Sequence, residues 1–92
     1  MTHRRTVTIR NRLGLHARAA ARLVRLATTF ESEIFLVRTD ARQERADAKS
    51  ILGLLLLAAT LGTEIEISAE GGDSEEAVNA LCELIDDRLG EH

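Results

Sequence analysis

The sequence predicts an α+β fold: an open-faced β-sandwich of order β-α-β-β-α-β-α, its four-stranded antiparallel sheet covered on one face by three helices. Three observations predict it. Short segments alternate polar and apolar residues with a period of two, as at residues 6–10 and 64–70. Longer segments carry apolar residues at helical spacing, as at residues 16–30 and 74–89. The chain has 92 residues, no proline and six glycines, which suits one domain spanning 1–92 without long linkers. A domain of this size buries somewhat over ~60% of its unfolded surface. With 45% hydrophobic and 2% aromatic residues, its core must be aliphatic.

Thr6-Val7-Thr8-Ile9-Arg10 reads as a strand with Val7 and Ile9 inward. Asn11 to Gly14 is a turn or loop. From His16 the period changes, and Ala20, Leu23, Val24, Ala27 and Phe30 form one buried helical stripe. Glu33 to Arg38 is rich in β-formers and is expected as a strand. Thr39 to Arg45 is polar and leads into a weak edge strand that includes Ala46 and Ala48. Ser50 to Leu61 suits a short helix with Ser50 as N-cap, ended by Gly62 in the left-handed conformation. Glu64 to Glu70 alternates strictly, so one face is wet and the other covered. Gly71-Gly72 turns the chain. Asp73 with Glu76 resembles a capping box, and the last helix presents Ala77, Val78, Leu81, Leu84, Ile85 and Leu89.

Net charge is −3, but it is unevenly spread. Residues 1–46 carry ten Arg against four acids, and residues 47–92 carry eleven acids against Lys49 and Arg88. The basic half suits an acidic partner or a phosphate, and equally a dipolar surface that only aids solubility. An RNA-binding role is disfavoured by the acidic second half and the lack of stacking aromatics, so no nucleic acid partner is expected. The apolar run at residues 51–59 is too short to span a bilayer. The basic N-terminus is followed by no apolar signal region, and the one cysteine, Cys82, reads as a small buried hydrophobe. A cytoplasmic location is expected.

His16 stands where a loop becomes a helix, just after Gly14-Leu15. The amides of Ala17 and Arg18 there lack intrahelical acceptors and carry partial positive charge, so an anion finds donors. The same field favours the neutral ring, which keeps one nitrogen free to attack phosphorus. At about 100° per residue, Arg18, Arg22 and Arg25 fall within roughly 60° of one another, opposite the apolar stripe. Arg18 is near enough to pair with a phosphoryl oxygen, while Arg22 and Arg25 suit an acidic partner. The same spacing fits His16 as a polar cap and the arginines as a solvated face, and spacing alone does not choose. A zinc site fails for want of ligands, since His3 and His92 read as solvated tail residues. Neither a metal nor another cofactor is expected.

Gly14-Leu15-His16-Ala17-Arg18-Ala19-Ala20, followed by Lys49-Ser50-Ile51-Leu52-Gly53, resembles the HPr family, the histidine-containing phosphocarriers of the phosphoenolpyruvate-dependent sugar phosphotransferase system. The likeness runs from Thr6 to Leu89. It implies that His16 takes a phosphoryl group on Nδ1 from Enzyme I and passes it to a IIA protein or domain, assisted by Arg18 and the Ala17 amide. It implies a carrier rather than an enzyme, and no cofactor. The family usually has proline where this chain has Ala19, which retains an N–H that proline lacks. The Thr39–Arg45 connection looks longer than the common pattern.

Ser50 is fully explained as an N-cap. The resemblance adds phosphorylation by HPr kinase/phosphorylase, which would place nearly two negative charges beside a surface meant for acidic partners. In the following helix Leu54, Leu57 and Leu61 suit the core, leaving Ile51, Leu52 and Leu55 exposed. By resemblance these three, with Lys49, Arg22 and Arg25, form the partner surface; a helix buried more fully, as by a dimer, is the alternative. A monomer is expected. A different function also fits: a regulatory binding module of a nitrogen-related or catabolite-control branch, in which phosphorylated Ser50 meets a transcriptional regulator.

Overall fold

The computed structural model describes residues 1–40 and 42–92. Strands β1 (Thr2–Thr8), β2 (Glu33–Arg38), β3 (Arg45–Asp47) and β4 (Glu64–Glu70) and helices α1 (Ala17–Ala27), α2 (Ile51–Leu57) and α3 (Ser74–Asp86) follow in the order β1-α1-β2-β3-α2-β4-α3, and a left-handed turn at Arg88–Gly90 follows α3. The sheet is antiparallel throughout, in the order β1-β4-β2-β3. β4 therefore sits between β1 and β2, and the short β3 forms an edge, as a weak strand should.

Alternation decides which face is covered. Ile65, Ile67 and Ala69 of β4 and Ile34 and Leu36 of β2 are buried beneath the helices, while Glu64, Glu66, Ser68 and Glu70 face the open side. The helices complete the core with Ala20, Leu23, Leu54, Leu57, Leu81 and Ile85. Cys82 is buried beside Val78 and Leu81. On the open face the Arg45 guanidinium lies 3.7 Å above the Phe35 ring, covering its apolar surface and contributing a cation–π contact.

The inward rows end in polar residues that reach the helices. The register sets His3 opposite Ala69, Arg5 opposite Ile67, and Arg38 opposite Ile65. His3 lies 2.8 Å through Nδ1 from the Ser74 hydroxyl, and Arg5 donates to Asn79 at 3.0 Å. Arg38 is buried and donates to the carbonyls of Leu57 and Ala58, both at 3.0 Å, while Asp40 accepts from its Nε and Nη2.

These contacts account for three departures from the sequence expectations. First, β1 begins at Thr2 rather than Thr6, and His3 is not a solvated tail residue. The polar end of β1 shows no alternation because its inward side faces the polar start of α3 rather than an apolar core. Ile9, beyond the strand, is still fully buried. His92 is exposed, 3.1 Å from Asp87. Second, α2 stops at Leu57, four residues early. Ala58 takes the left-handed conformation at φ 53°, and Arg38 takes up the last carbonyls. Leu61 is consequently 56% exposed rather than in the core. Gly62 has the expected positive φ, but in the turn before β4. Third, the capping box at Asp73 does not form. Its carboxylate instead accepts from the amides of Glu31 and Ser32 and from the Ser32 hydroxyl, tying the start of α3 to the approach to β2. Within the Thr39–Arg45 connection Ala41 lies outside the described residues, so the expected lengthening is not described at that position.

Candidate functional site

The loop before α1 is held tightly. Gly14 has φ +66°, and a Cβ there would lie 2.5 Å from the Ala59 carbonyl oxygen. No other residue fits both the conformation and the approach. Leu15 then donates to that same carbonyl at 2.9 Å. This docking against the end of α2 fixes where α1 begins.

His16 is the N-cap of α1, with extended backbone at φ −77° and ψ 175° and no capping hydrogen bond from its side chain. Its carbonyl accepts the first helical bond, from Ala20 at 2.9 Å. The amides of Ala17, Arg18 and Ala19 therefore have no intrahelical acceptor, and the first turn carries no acidic residue. The ring is 27% exposed.

The ring is also held by a residue far away in sequence. Its Nε2 is hydrogen-bonded to Oε2 of Glu91. Oε1 of the same carboxylate accepts from Asn11 Nδ2 at 2.7 Å, and that nitrogen also donates to the Gly14 carbonyl at 2.8 Å. Asn11 is 1% exposed. The Asn11 bond is the main cause holding the Glu91 carboxyl below the usual carboxylate range; His16 and Arg22 add to it against the opposing effect of burial. Glu91 and Asn11 are the site residues that sequence reasoning missed. Asn11 was read only as part of a turn, and no local pattern links residue 91 to residue 16.

Arg18 and Arg25 are exposed, and neither forms an ion pair among the described residues. Arg22 is half-buried: its Nη1 donates to the Leu89 carbonyl at 2.8 Å and lies 3.9 Å from Glu91. Arg12, Arg18 and Arg22, with Gly90, Glu91 and His92, line an open cleft, a setting suited to an anion.

Ser50 is the N-cap of α2 and accepts from the Gly53 amide at 3.0 Å. Lys49 directs Nζ to the Phe30 carbonyl at 2.8 Å, so its charge is partly spent within the chain. Ile51, Leu52 and Leu55 are exposed, as the helical spacing implies. Leu56 extends the same stripe at 68% exposure, and Leu13 is exposed in the loop before His16; neither was singled out from sequence. Among the described residues no cluster of three or more His, Cys, Asp or Glu could hold a metal ion, and no helix is long and apolar enough to cross a membrane.

Comparison with known proteins follows the same lines. The family model described as "PTS HPr component phosphorylation site" matches residues 3–87. The chain is 47% identical over 87 residues to the phosphocarrier protein HPr of Cupriavidus necator, covering 95% of this chain and 94% of that one. It is 44% identical over 87 residues to the phosphocarrier protein NPr of Shewanella violacea, covering 95% and 92%. Among solved structures it is similar to HPr-C-His from Thermoanaerobacter tengcongensis, with a TM-score of 0.88, 40% identity and 98% of each chain covered.

Proposed function

Since this chain belongs to the HPr family of phosphocarriers, we propose that it relays a phosphoryl group through His16. Enzyme I, charged by phosphoenolpyruvate, is the donor, and a IIA protein or domain of a sugar permease is the acceptor. In the first transfer the lone pair of Nδ1 forms a P–N bond as the P–N bond of the donor histidine breaks. In the second the electron pair returns to Nδ1 and the phosphoryl group leaves for the IIA histidine. The chain acts as a carrier, altered and restored in each cycle.

One observation carries the reading: a partly exposed imidazole at a helix start, where the Ala17 and Arg18 amides are open and the first helical turn carries no acidic residue. The exposed guanidinium of Arg18 is free to meet the phosphoryl oxygens. Arg25 and the stripe of Ile51, Leu52 and Leu55 would contact the partner, with Lys49 and Arg22 at its margin. Ala19 adds an N–H where the family usually has proline, so the anion has one more donor in the first turn.

Incubation with phosphoenolpyruvate, Mg²⁺ and Enzyme I should load one acid-labile phosphoryl group onto the chain and none onto His16→Ala. A labelled His16→Ala chain would overturn the assignment. A second reading is supported by Ser50, whose hydroxyl oxygen is half-buried at the start of α2. Phosphorylation there by HPr kinase/phosphorylase would put a dianion beside the partner surface, weakening transfer from Enzyme I and creating a surface for a transcriptional regulator. Mass spectrometry after treatment with that kinase tests it; an unmodified Ser50 would remove the regulatory branch.

A further inference from the structure

We infer that Glu91 is a positioning residue for this transfer: by accepting a hydrogen bond from Nε2–H, it leaves Nδ1 of His16 as the bare nitrogen that meets phosphorus. The inference rests on the reading of His16 proposed above and specifies how the ring is prepared.

A neutral imidazole has one ring proton and two places to keep it. An ionised carboxylate only accepts, so the nitrogen facing it must be the donor. Nε2 faces Oε2 of Glu91, which assigns the proton to Nε2. The environment keeps that carboxylate ionised, chiefly through the bond from Asn11.

The carboxylate is held in place by several independent contacts. Asn11 Nδ2 divides its two protons between Glu91 Oε1 and the Gly14 carbonyl. That division also fixes the amide orientation, because the flipped amide would set an oxygen against two acceptors. The chain reaches the site through a hook of left-handed residues: Arg88 at φ 58°, Leu89 at 54° and Gly90 at 77°. Leu89 anchors the hook by complete burial, and Arg22 bonds its carbonyl. Non-glycine residues adopt this conformation only where the surroundings hold them there.

The proton need not move during the cycle. When Nδ1 binds phosphorus the ring becomes a phosphoimidazolium, with the Nε2 proton facing Glu91. When the phosphoryl group leaves, the electron pair returns to Nδ1 and the ring is neutral again. Arg12, Arg18 and Arg22 line the cleft that Glu91 also lines, and Arg22 lies 3.9 Å from the carboxylate, a basic setting that disfavours a further cation. Glu91 is the acidic residue in that lining.

Two variants of the full chain separate this role from simple packing. In Glu91→Gln the side-chain oxygen can still accept from Asn11 while the amide donates toward Nε2, so the tautomer should invert to Nδ1–H. In Glu91→Ala the constraint is lost and the two tautomers should mix. Two-bond ¹H–¹⁵N correlation on the unphosphorylated protein, at a pH where the ring is neutral, reads this directly. Backbone amide spectra confirm that each variant is folded. Phosphoryl transfer from Enzyme I should fall by on the order of tenfold or more in Glu91→Gln, because the attacking nitrogen carries a proton. The alkaline limb of onward transfer in Glu91→Ala should shift to lower pH. Unchanged tautomer fractions in both variants would overturn the inference whatever the transfer rates. Tautomers that respond to Glu91 in a chain that Enzyme I cannot label would instead overturn the carrier reading, and with it the role of Glu91 in transfer.

Discussion

At His16 the backbone and the ring have separate duties. The backbone starts α1 and turns its open amides outward. The ring is partly exposed, with one nitrogen engaged by Glu91. Arg18 supplies charge without being tied to the fold, so its removal should separate function from stability. Arg18→Ala should slow transfer by about 10- to 100-fold, the worth of a charge-assisted hydrogen bond. Thermal unfolding should show a stability change within about 0.5 kcal/mol, as at other exposed sites. Ser50 should behave the opposite way in an unmodified chain. Ser50→Ala removes the acceptor for the Gly53 amide and should cost ~1 kcal/mol in a denaturant melt. The places of His16, Arg18 and Ser50 at helix starts could be read from the sequence, because local spacing sets where a helix begins. Glu91 and Asn11 could not, because their role appears only when the chain's two ends meet.

At the scale of the element, the informative residues are those that join one segment to another. Asp73 holds the approach to β2 against the start of α3, and its carboxyl is depressed below the ordinary value, chiefly by the Ser32 hydroxyl and then by the Glu31 amide. A depressed carboxyl contributes stability that is fully present above its unfolded pKa and lost as pH falls through the folded one. The wild-type chain should therefore lose stability as pH falls through about 4 and below, while Asp73→Asn should begin less stable and show a flatter acid limb. Urea melts across that window test it; parallel acid limbs would remove Asp73 from the account. Arg38 plays a comparable part at the other side of the sheet, ending α2 by taking its last carbonyls. Local reading set Gly62 as the stop for that helix because glycine is the usual terminator, and it set Asp73 as a cap because acids favour helix starts. In both places a contact from another element prevailed over local preference. The strand β2, by contrast, matches its predicted bounds, because its own run of β-forming residues, Ile34 to Val37 between charged Glu33 and Arg38, carries the signal and needs no outside partner.

Across the whole molecule, one apolar set is consumed by the core and another is left outside. Leu54 and Leu57 point inward from α2, while Ile51, Leu52, Leu55 and Leu56 remain exposed on the same short helix. Leu54→Ala should cost about 2–5 kcal/mol through transfer and cavity terms. Leu52→Ser combined with Leu56→Ser should leave the unfolding transition nearly in place yet weaken transfer between Enzyme I and His16 several-fold. Steady-state transfer kinetics beside a thermal melt distinguish the two, and an unchanged KM for Enzyme I would show that this stripe is not a contact. The open sheet, the helical cover and the core face were legible because periodicity summed over a segment outweighs single residues. The polar ends of the inward rows were not, since His3, Arg5 and Arg38 break the pattern for the sake of neighbours that only the register brings near. Arg22 has a practical bearing on how a mutational scan of this surface is interpreted. It belongs by spacing to the row of basic residues offered outward, yet it grips the Leu89 carbonyl that carries the chain back to the imidazole. A slow Arg22→Ala protein would thus confound a lost handhold for a partner with a loosened latch on its own histidine, and only comparison with Arg25→Ala, which has no such second duty, tells the two apart.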